Sequence, residues 1–331
     1  MGMPQPSPTI EDLEDARRRI SGDIVLTPLL RSDALDAVTG ARVFVKAECL
    51  QITGAFKVRG AYNRLRRFTS AETGGGVVTW SSGNHGQAIA AAAKRIGMPA
   101  LVLMPHDSVA TKVQLTRSYG AEIEFFERGV VDAIMRATEI AAARGATIVP
   151  PANDRHVIAG QGTATLEILS QLEALGAAVP DVHLVPCGSG GLTAGAAIAL
   201  SARSPRTSVF AVEPEGFDDT GRSLAAGMRL AIEPGRSTLC DALTARTPAP
   251  MTFEINRSHG VKALTVSDEQ VRRAMAFAFR NLKLVAEPGG AAALAALLAK
   301  KIDVAGKIVT LICSGGNVEA SVFADAITRE V

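Results

Sequence analysis

Short apolar runs rich in β-branched residues alternate with alanine-rich helical stretches along almost the whole chain. Val77–Trp80 is followed by Gln87–Ile96, Ala100–Met104 by Thr111–Tyr119, and Glu122–Phe126 by Asp132–Arg144. Val182–Val185 then leads into Leu192–Ser201, and further runs lie at Ser208–Val212 and Lys307–Ile312. A strand that is apolar on both faces must be covered on both faces. Alternation with helices achieves this by laying crossover helices over parallel strands. The chain is therefore expected to be α/β, with open parallel sheets. Its 331 residues exceed what one core usually supports, so two domains are expected. Three consecutive strand–helix pairs from Gly76 to Pro151 read as a compact insert, with Thr147-Ile148-Val149-Pro150-Pro151 leading the chain back.

Three strand–loop–helix junctions carry chemistry. In Gly54-Ala55-Phe56-Lys57-Val58-Arg59-Gly60-Ala61 a lysine stands between an aromatic and a valine where a helix begins. Apolar surroundings strip water from an ammonium and free the amine, the form that attacks a carbonyl cofactor. Val182–Val185 runs into Gly188-Ser189-Gly190-Gly191-Leu192, a glycine-rich turn opening an alanine-rich helix. Such a turn lets backbone N–H groups crowd round a phosphate at a helix N-terminus. No Gly-Lys-Ser or Gly-Lys-Thr ends it, which argues against a P-loop. A dinucleotide fingerprint would need glycine at Thr193, although Glu213 does mimic a ribose-binding acid. An NAD-dependent dehydrogenase thus stays open beside a binder of a small phosphate. Third, Ser81-Ser82-Gly83-Asn84-His85-Gly86-Gln87 follows Val77–Trp80 and suits a carboxylate or an oxyanion.

Composition narrows the partners. Net charge is +2 with dispersed basic residues, and aromatics make up 4%, which together argue against nucleic acid. No stretch has the ~18 apolar residues of a membrane span. Glu11, Asp12, Glu14 and Asp15 lie too early for a signal or transit peptide. Four separated cysteines without Cys-x-x-Cys spacing read as reduced packing thiols, so a cytoplasmic protein is expected.

Six ordered motifs resemble the fold-type II pyridoxal phosphate enzymes, in the serine/threonine dehydratase and serine racemase branch. They are Gln51–Ala61, Ser81–Ala88, Val157–Thr163, Gly188–Leu192, Glu287–Ala291 and Ser314–Asn317. The resemblance implies a cofactor between two lobes, with residues 76–151 as the small domain and 1–75 plus 152–331 as the large one. It implies a homodimer and no C-terminal regulatory domain. Lys57 would join covalently to pyridoxal 5'-phosphate and then shuttle the substrate's α-proton, with Phe56 packed beside the ring. Gly188, Ser189, Gly190, Gly191 and Leu192 would hold the phosphate, Asn84 the ring hydroxyl and Ser314 the pyridine nitrogen. Ser81, Asn84 and His85 would receive the substrate carboxylate, and Ser82 corresponds to the second proton-handling serine of the racemases. Glu213, the Phe217 carbonyl and Asp219 match the family's divalent-cation loop, for magnesium, calcium or manganese.

The resemblance implies a threonine or serine ammonia-lyase that eliminates water to give a 2-oxo acid and ammonia. Ala55 and Ala152 depart from the family pattern, and Ala152 is expected to widen the pocket for phenylserine or 3-hydroxyaspartate types. A second carboxylate would need an arginine in the pocket, and Arg128, Arg136 and Arg155 lie in that region of the sequence, which does not aim them. Racemisation of serine or another amino acid is the further alternative.

Overall fold

A computed structural model describes residues 6–328; the ends of the expected domain bounds, 1–5 and 329–331, lie outside the described residues. The strands are β1 (Leu29–Leu30), β2 (Arg42–Ala47), β3 (Val77–Trp80), β4 (Ala100–Pro105) and β5 (Glu122–Phe126). They continue with β6 (Thr147–Ile148), β7 (Val182–Pro186), β8 (Ser208–Pro214), β9 (Lys262–Val266) and β10 (Ile308–Cys313). Among the described residues these form a six-stranded sheet ordered β1-β2-β10-β7-β8-β9 and a four-stranded sheet ordered β5-β4-β3-β6. Every neighbouring pair is parallel except β1–β2. The alternation of the sequence demanded this arrangement. Strand β10, last in the chain, sits between β2 and β7 with Leu311 opposite both Val45 and Leu184. All three residues are fully buried, as a strand covered on both faces requires.

The smaller sheet draws only on residues 77–148, while the larger takes β1 and β2 before that segment and β7 to β10 after it. Strand β9 and the 20-residue helix Arg155–Ala174 were not among the units read from the sequence. Gly160 and Gly162 weaken the helical signal of that segment, yet they are what lets it pack. A Cβ at Gly160 would lie 2.6 Å from the Gly60 Cα, and one at Gly162 would lie 2.9 Å from the Gly195 carbonyl oxygen. The long helix thereby crosses both Lys57–Leu65 and Gly191–Arg203 at close range, locking two of the three junctions to one support. No helix among the described residues is long and apolar enough to cross a membrane.

Candidate active site

A cavity of about 350 Å³ opens at the carboxyl ends of the strands of both sheets. Trp80, Pro105, Phe126 and Pro186, the last residues of β3, β4, β5 and β7, line it, as does Ser314 just after β10. Open parallel sheets leave such a crevice because their loops diverge there. Phe56, Lys57, Ser81, Ser82, Asn84 and His85 are on its wall, with all of Gly188 to Leu192 and Ser314. Glu213, Phe217 and Asp219 are not.

Lys57 opens the helix Lys57–Leu65. Its Nζ donates to the Pro151 carbonyl at 3.1 Å and lies 5.3 Å from the centre of the Phe56 ring. No carboxylate compensates for lost hydration, so burial pulls the lysine pKa down to about 8. The loop before it is pinned at several points. Gly54 has φ +70°, the Phe56 N–H donates to the Ser314 carbonyl at 3.1 Å, and Asn317 Nδ2 donates to the Thr53 carbonyl at 2.7 Å. Ala55 is fully buried and bridged to Gly315.

The glycine-rich turn is built as an anion cradle. Gly190 has φ +85°, and a Cβ there would stand 2.9 Å from Thr252 Oγ1 and 3.0 Å from Asn256 Nδ2. Thr252 Oγ1 donates to the Ser189 carbonyl at 2.6 Å, turning that acceptor away from the cavity. Among the described residues, no backbone acceptor takes the N–H groups of Gly188 to Leu192. Those donors and the N-terminus of the 13-residue helix from Gly191 thus lie together on the wall, free for an anion.

At the third junction Ser81 Oγ accepts from the Gly83 N–H at 3.1 Å. Asn84 Nδ2 donates to Glu287 Oε1 at 2.5 Å, and Asn84 Oδ1 accepts from Asn317 Nδ2 at 2.9 Å. His85 Nε2 donates to the Val149 carbonyl at 3.2 Å. Burial, with the Lys57 charge second, lowers the histidine pKa to about 3, so the ring is neutral and its one donor is already used.

Three charged groups on the wall carried no assigned role in the sequence: Lys112, Asp241 and Glu287. Of the three arginines considered, only Arg128 lines the cavity, where Asp107 accepts from its Nε at 2.8 Å. Arg136 pairs with Glu124 and Glu139, and Arg155 with Asp12. Ala152 does not widen the pocket as expected. It is buried behind the wall, its Cβ 3.5 Å from where a Gly191 Cβ would stand.

Glu213 and Asp219 form a separate acidic site under the loop that follows β8, at 0% and 1% exposure. Glu213 accepts the N–H groups of Thr220 and Gly221, both at 2.8 Å, and lies off the wall that carries the glycine-rich turn, which argues against the dinucleotide reading. Burial raises the pKa values of Glu213 and Asp219 to about 7 and about 8, and Asp219 Oδ2 has no partner. No three His, Cys, Asp or Glu side chains converge among the described residues. Two buried carboxylates with an orphaned oxygen fit a hard cation whose other ligands are carbonyls or water. The four cysteines are buried and unpaired.

A family model described as pyridoxal-phosphate dependent enzyme matches residues 20–315. L-threonine ammonia-lyase of Thermotoga maritima is 37% identical over 324 residues, covering 97% of this chain and 78% of that protein. L-threo-3-hydroxyaspartate ammonia-lyase of a Pseudomonas species is 40% identical over 316 residues, covering 96% and 97%. The structure of maize serine racemase superposes with a TM-score of 0.90 at 33% identity, over 97% of each chain.

Proposed function

This chain belongs to the pyridoxal-phosphate-dependent enzymes, in their fold-type II branch, and on that premise we propose an ammonia-lyase that removes water from L-threonine or L-serine. As a carbon–oxygen lyase it would release a 2-oxo acid and ammonia. The observation that carries the reading is the meeting, in one cavity, of an amine with a pKa near 8 and a cradle of unclaimed backbone donors.

The residues fit the cofactor. Lys57 would hold it covalently, the N–H groups of Gly188 to Leu192 would bind its phosphate, and Ser314 and Asn84 would face its ring. When bound, pyridoxal phosphate supplies an electron sink beside the substrate's Cα. Lys57 would be the base that takes the Cα proton, and its lowered pKa keeps a fraction unprotonated at neutral pH. Because His85 is neutral with its donor committed to Val149, carboxylate binding rests on the hydroxyls and N–H groups of Ser81 to Asn84. Ser314, a neutral partner for the pyridine nitrogen, does not enforce ring protonation, which favours elimination over transamination.

A second substrate, 3-hydroxyaspartate, is favoured by one observation: Arg128 stands on the cavity wall, able to leave Asp107 for a second carboxylate. We also propose a small lobe at 76–151, a cytoplasmic homodimer, and a magnesium, calcium or manganese ion at Glu213, the Phe217 carbonyl and Asp219. The decisive experiment supplies L- and D-threonine, serine and 3-hydroxyaspartate to the cofactor-loaded protein, reading 2-oxo acid, ammonia and inversion. Oxo acid from an L-substrate, lost in Lys57→Ala together with the borohydride-trapped cofactor label, is the expected result. Inversion without oxo acid would replace the lyase by a racemase acting through Ser82; trapping on another residue would remove Lys57 from its role.

A further inference from the structure

Lys112 has no part in the chemistry above, yet its side chain is almost wholly buried, at 1% exposure, on the cavity wall. It rises from the helix Ala110–Ser118, which follows β4 of the smaller sheet. Its ammonium crosses to two carboxylates carried by segments of the larger sheet's half. Nζ donates to Asp241 Oδ2 at 2.6 Å and stands 3.2 Å from Glu287 Oε2. Glu287 is itself 1% exposed, and its other oxygen accepts the Asn84 amide. The sequence makes room for this crossing. A Cβ at Gly83 would come within 2.8 Å of Lys112 Cδ, so the turn between Ser82 and Asn84 is shaped round the lysine stem.

The polar chain continues past Asn84. Asn317 Nδ2 donates to Asn84 Oδ1 at 2.9 Å and to the Thr53 carbonyl at 2.7 Å, within the loop that leads to Lys57. Lys112 therefore stands at one end of a hydrogen-bonded path whose other end anchors the reactive lysine. Burial pushes the Glu287 carboxyl towards its neutral form and the Lys112 ammonium opposes that shift, while an ionised Glu287 can only accept. Without Lys112 the buried Glu287 would take up a proton, and a neutral carboxyl is a weaker acceptor for the Asn84 amide than a carboxylate. A direct role for Lys112 in binding a substrate carboxylate is disfavoured, because two carboxylates already flank its ammonium.

We propose that Lys112 is a positioning residue: by crossing the cleft to Glu287 and Asp241, it fixes the Asn84 amide beside the cofactor ring and holds the two sheets' segments together over the cavity. The proposal rests on reading the cavity as the pyridoxal phosphate site. Its test compares cofactor-loaded wild type, Lys112→Met and Lys112→Arg. The readouts are the absorbance spectrum of the bound cofactor, hydrogen exchange of the Ser81 to Gly86 amides, and kcat and KM. Lys112→Met should shift the long-wavelength absorbance, speed exchange in that turn, and lower kcat roughly 10²-fold, the scale of a misplacement transmitted to the reacting groups. Lys112→Arg, which keeps the charge, should recover most of each change. An unchanged spectrum and exchange in Lys112→Met would overturn the proposal, as would a rise in KM alone, which would make Lys112 a substrate receptor. If Lys112→Met does not fold, Asp241→Asn keeps Glu287 paired and should give a smaller spectral shift of the same sign; no shift would overturn the proposal. Spectrum and exchange need no turnover, so a wild type inactive on every β-hydroxy amino acid would defeat the functional reading without deciding this one.

Discussion

Replacing Arg59 by methionine tests what holds the Lys57 helix in place. Arg59 lies two residues beyond Lys57 and is fully buried. Its Nε and Nη2 donate to Glu48 at 2.7 and 2.8 Å, and its Nη1 and Nη2 to Glu167 at 2.7 and 2.8 Å. Lys46, also fully buried, donates to the same Glu167 at 2.7 Å. Two cations and two carboxylates thus balance away from water. Methionine would fill most of the volume but leave one lysine facing two carboxylates. Removing one member of a buried ion pair costs about 3–5 kcal/mol, mainly because the remaining charge is stranded. An unfolding entropy of about 2.1 cal/mol/K per residue gives about 0.7 kcal/mol/K for a chain of this size, so the melting temperature should fall by about 4–7 °C. The assay is thermal unfolding of the cofactor-free protein by circular dichroism, with Arg59→Met/Glu48→Gln as the partner variant. Restoring charge balance should recover part of the loss. A melting temperature within about 1 °C of wild type in Arg59→Met would refute the view that this ion cluster supports the site.

Three further outcomes follow from the same geometry. The lysine pKa of about 8, against an ordinary 10.5, means that between those values the unfolded chain binds the extra proton. Stability of the cofactor-free protein should therefore rise with pH through that window. Lys57→Met should melt above wild type at pH 7 and lose its advantage towards pH 10.5; a constant difference would refute the shift. Gly190→Ala puts a side chain at φ +85° and against Thr252, so affinity for pyridoxal phosphate, read by fluorescence titration, should fall about tenfold or more. Equal affinity would mean that the cradle lies elsewhere. Magnesium or calcium at ~100 times its dissociation constant should raise the melting temperature by about 4 °C. Asp219→Asn should abolish that increment, and an increment surviving in Asp219→Asn would remove the cation from this loop.

The legible part of the site shares one property: each group belongs to a junction where a strand end meets a helix start. Alternation of strand and helix fixes which end of each strand faces the crevice, so Lys57, the Ser81 turn and the Gly188 turn converge once the sheets are parallel. The charged groups that join those junctions were illegible for the converse reason. Lys112 and Asp241 are 129 residues apart, and Asn84 and Glu287 are 203 apart, with no local pattern at either end. The helix Arg155–Ala174 was missed because glycine lowers helix propensity, whereas here two close crossings outweigh that penalty. Ala152 misled because a position in sequence beside Pro151 does not say which of two adjacent residues faces the cavity. The backbone turns Pro151 inward and Ala152 onto Gly191.

The groups fixed by the junctions are those a pyridoxal phosphate enzyme needs whatever side chain its substrate carries: an amine, a phosphate cradle and a carboxylate turn. Discrimination must then come from groups that reach the cavity from elsewhere. Arg128 does so from the loop after β5, and its guanidinium is half exposed and shared with a still more exposed Asp107. An ion pair so open to water is worth little, about 0–1 kcal/mol, so its exchange for a substrate carboxylate meets only a small barrier. Threonine and serine offer no such carboxylate and would leave the pair intact. Arg128→Met should therefore spare turnover of threonine while raising KM for 3-hydroxyaspartate about tenfold or more. Equal losses on both substrates would place Arg128 among the general supports of the cavity and leave its side-chain specificity to the apolar wall of Trp80 and Phe126.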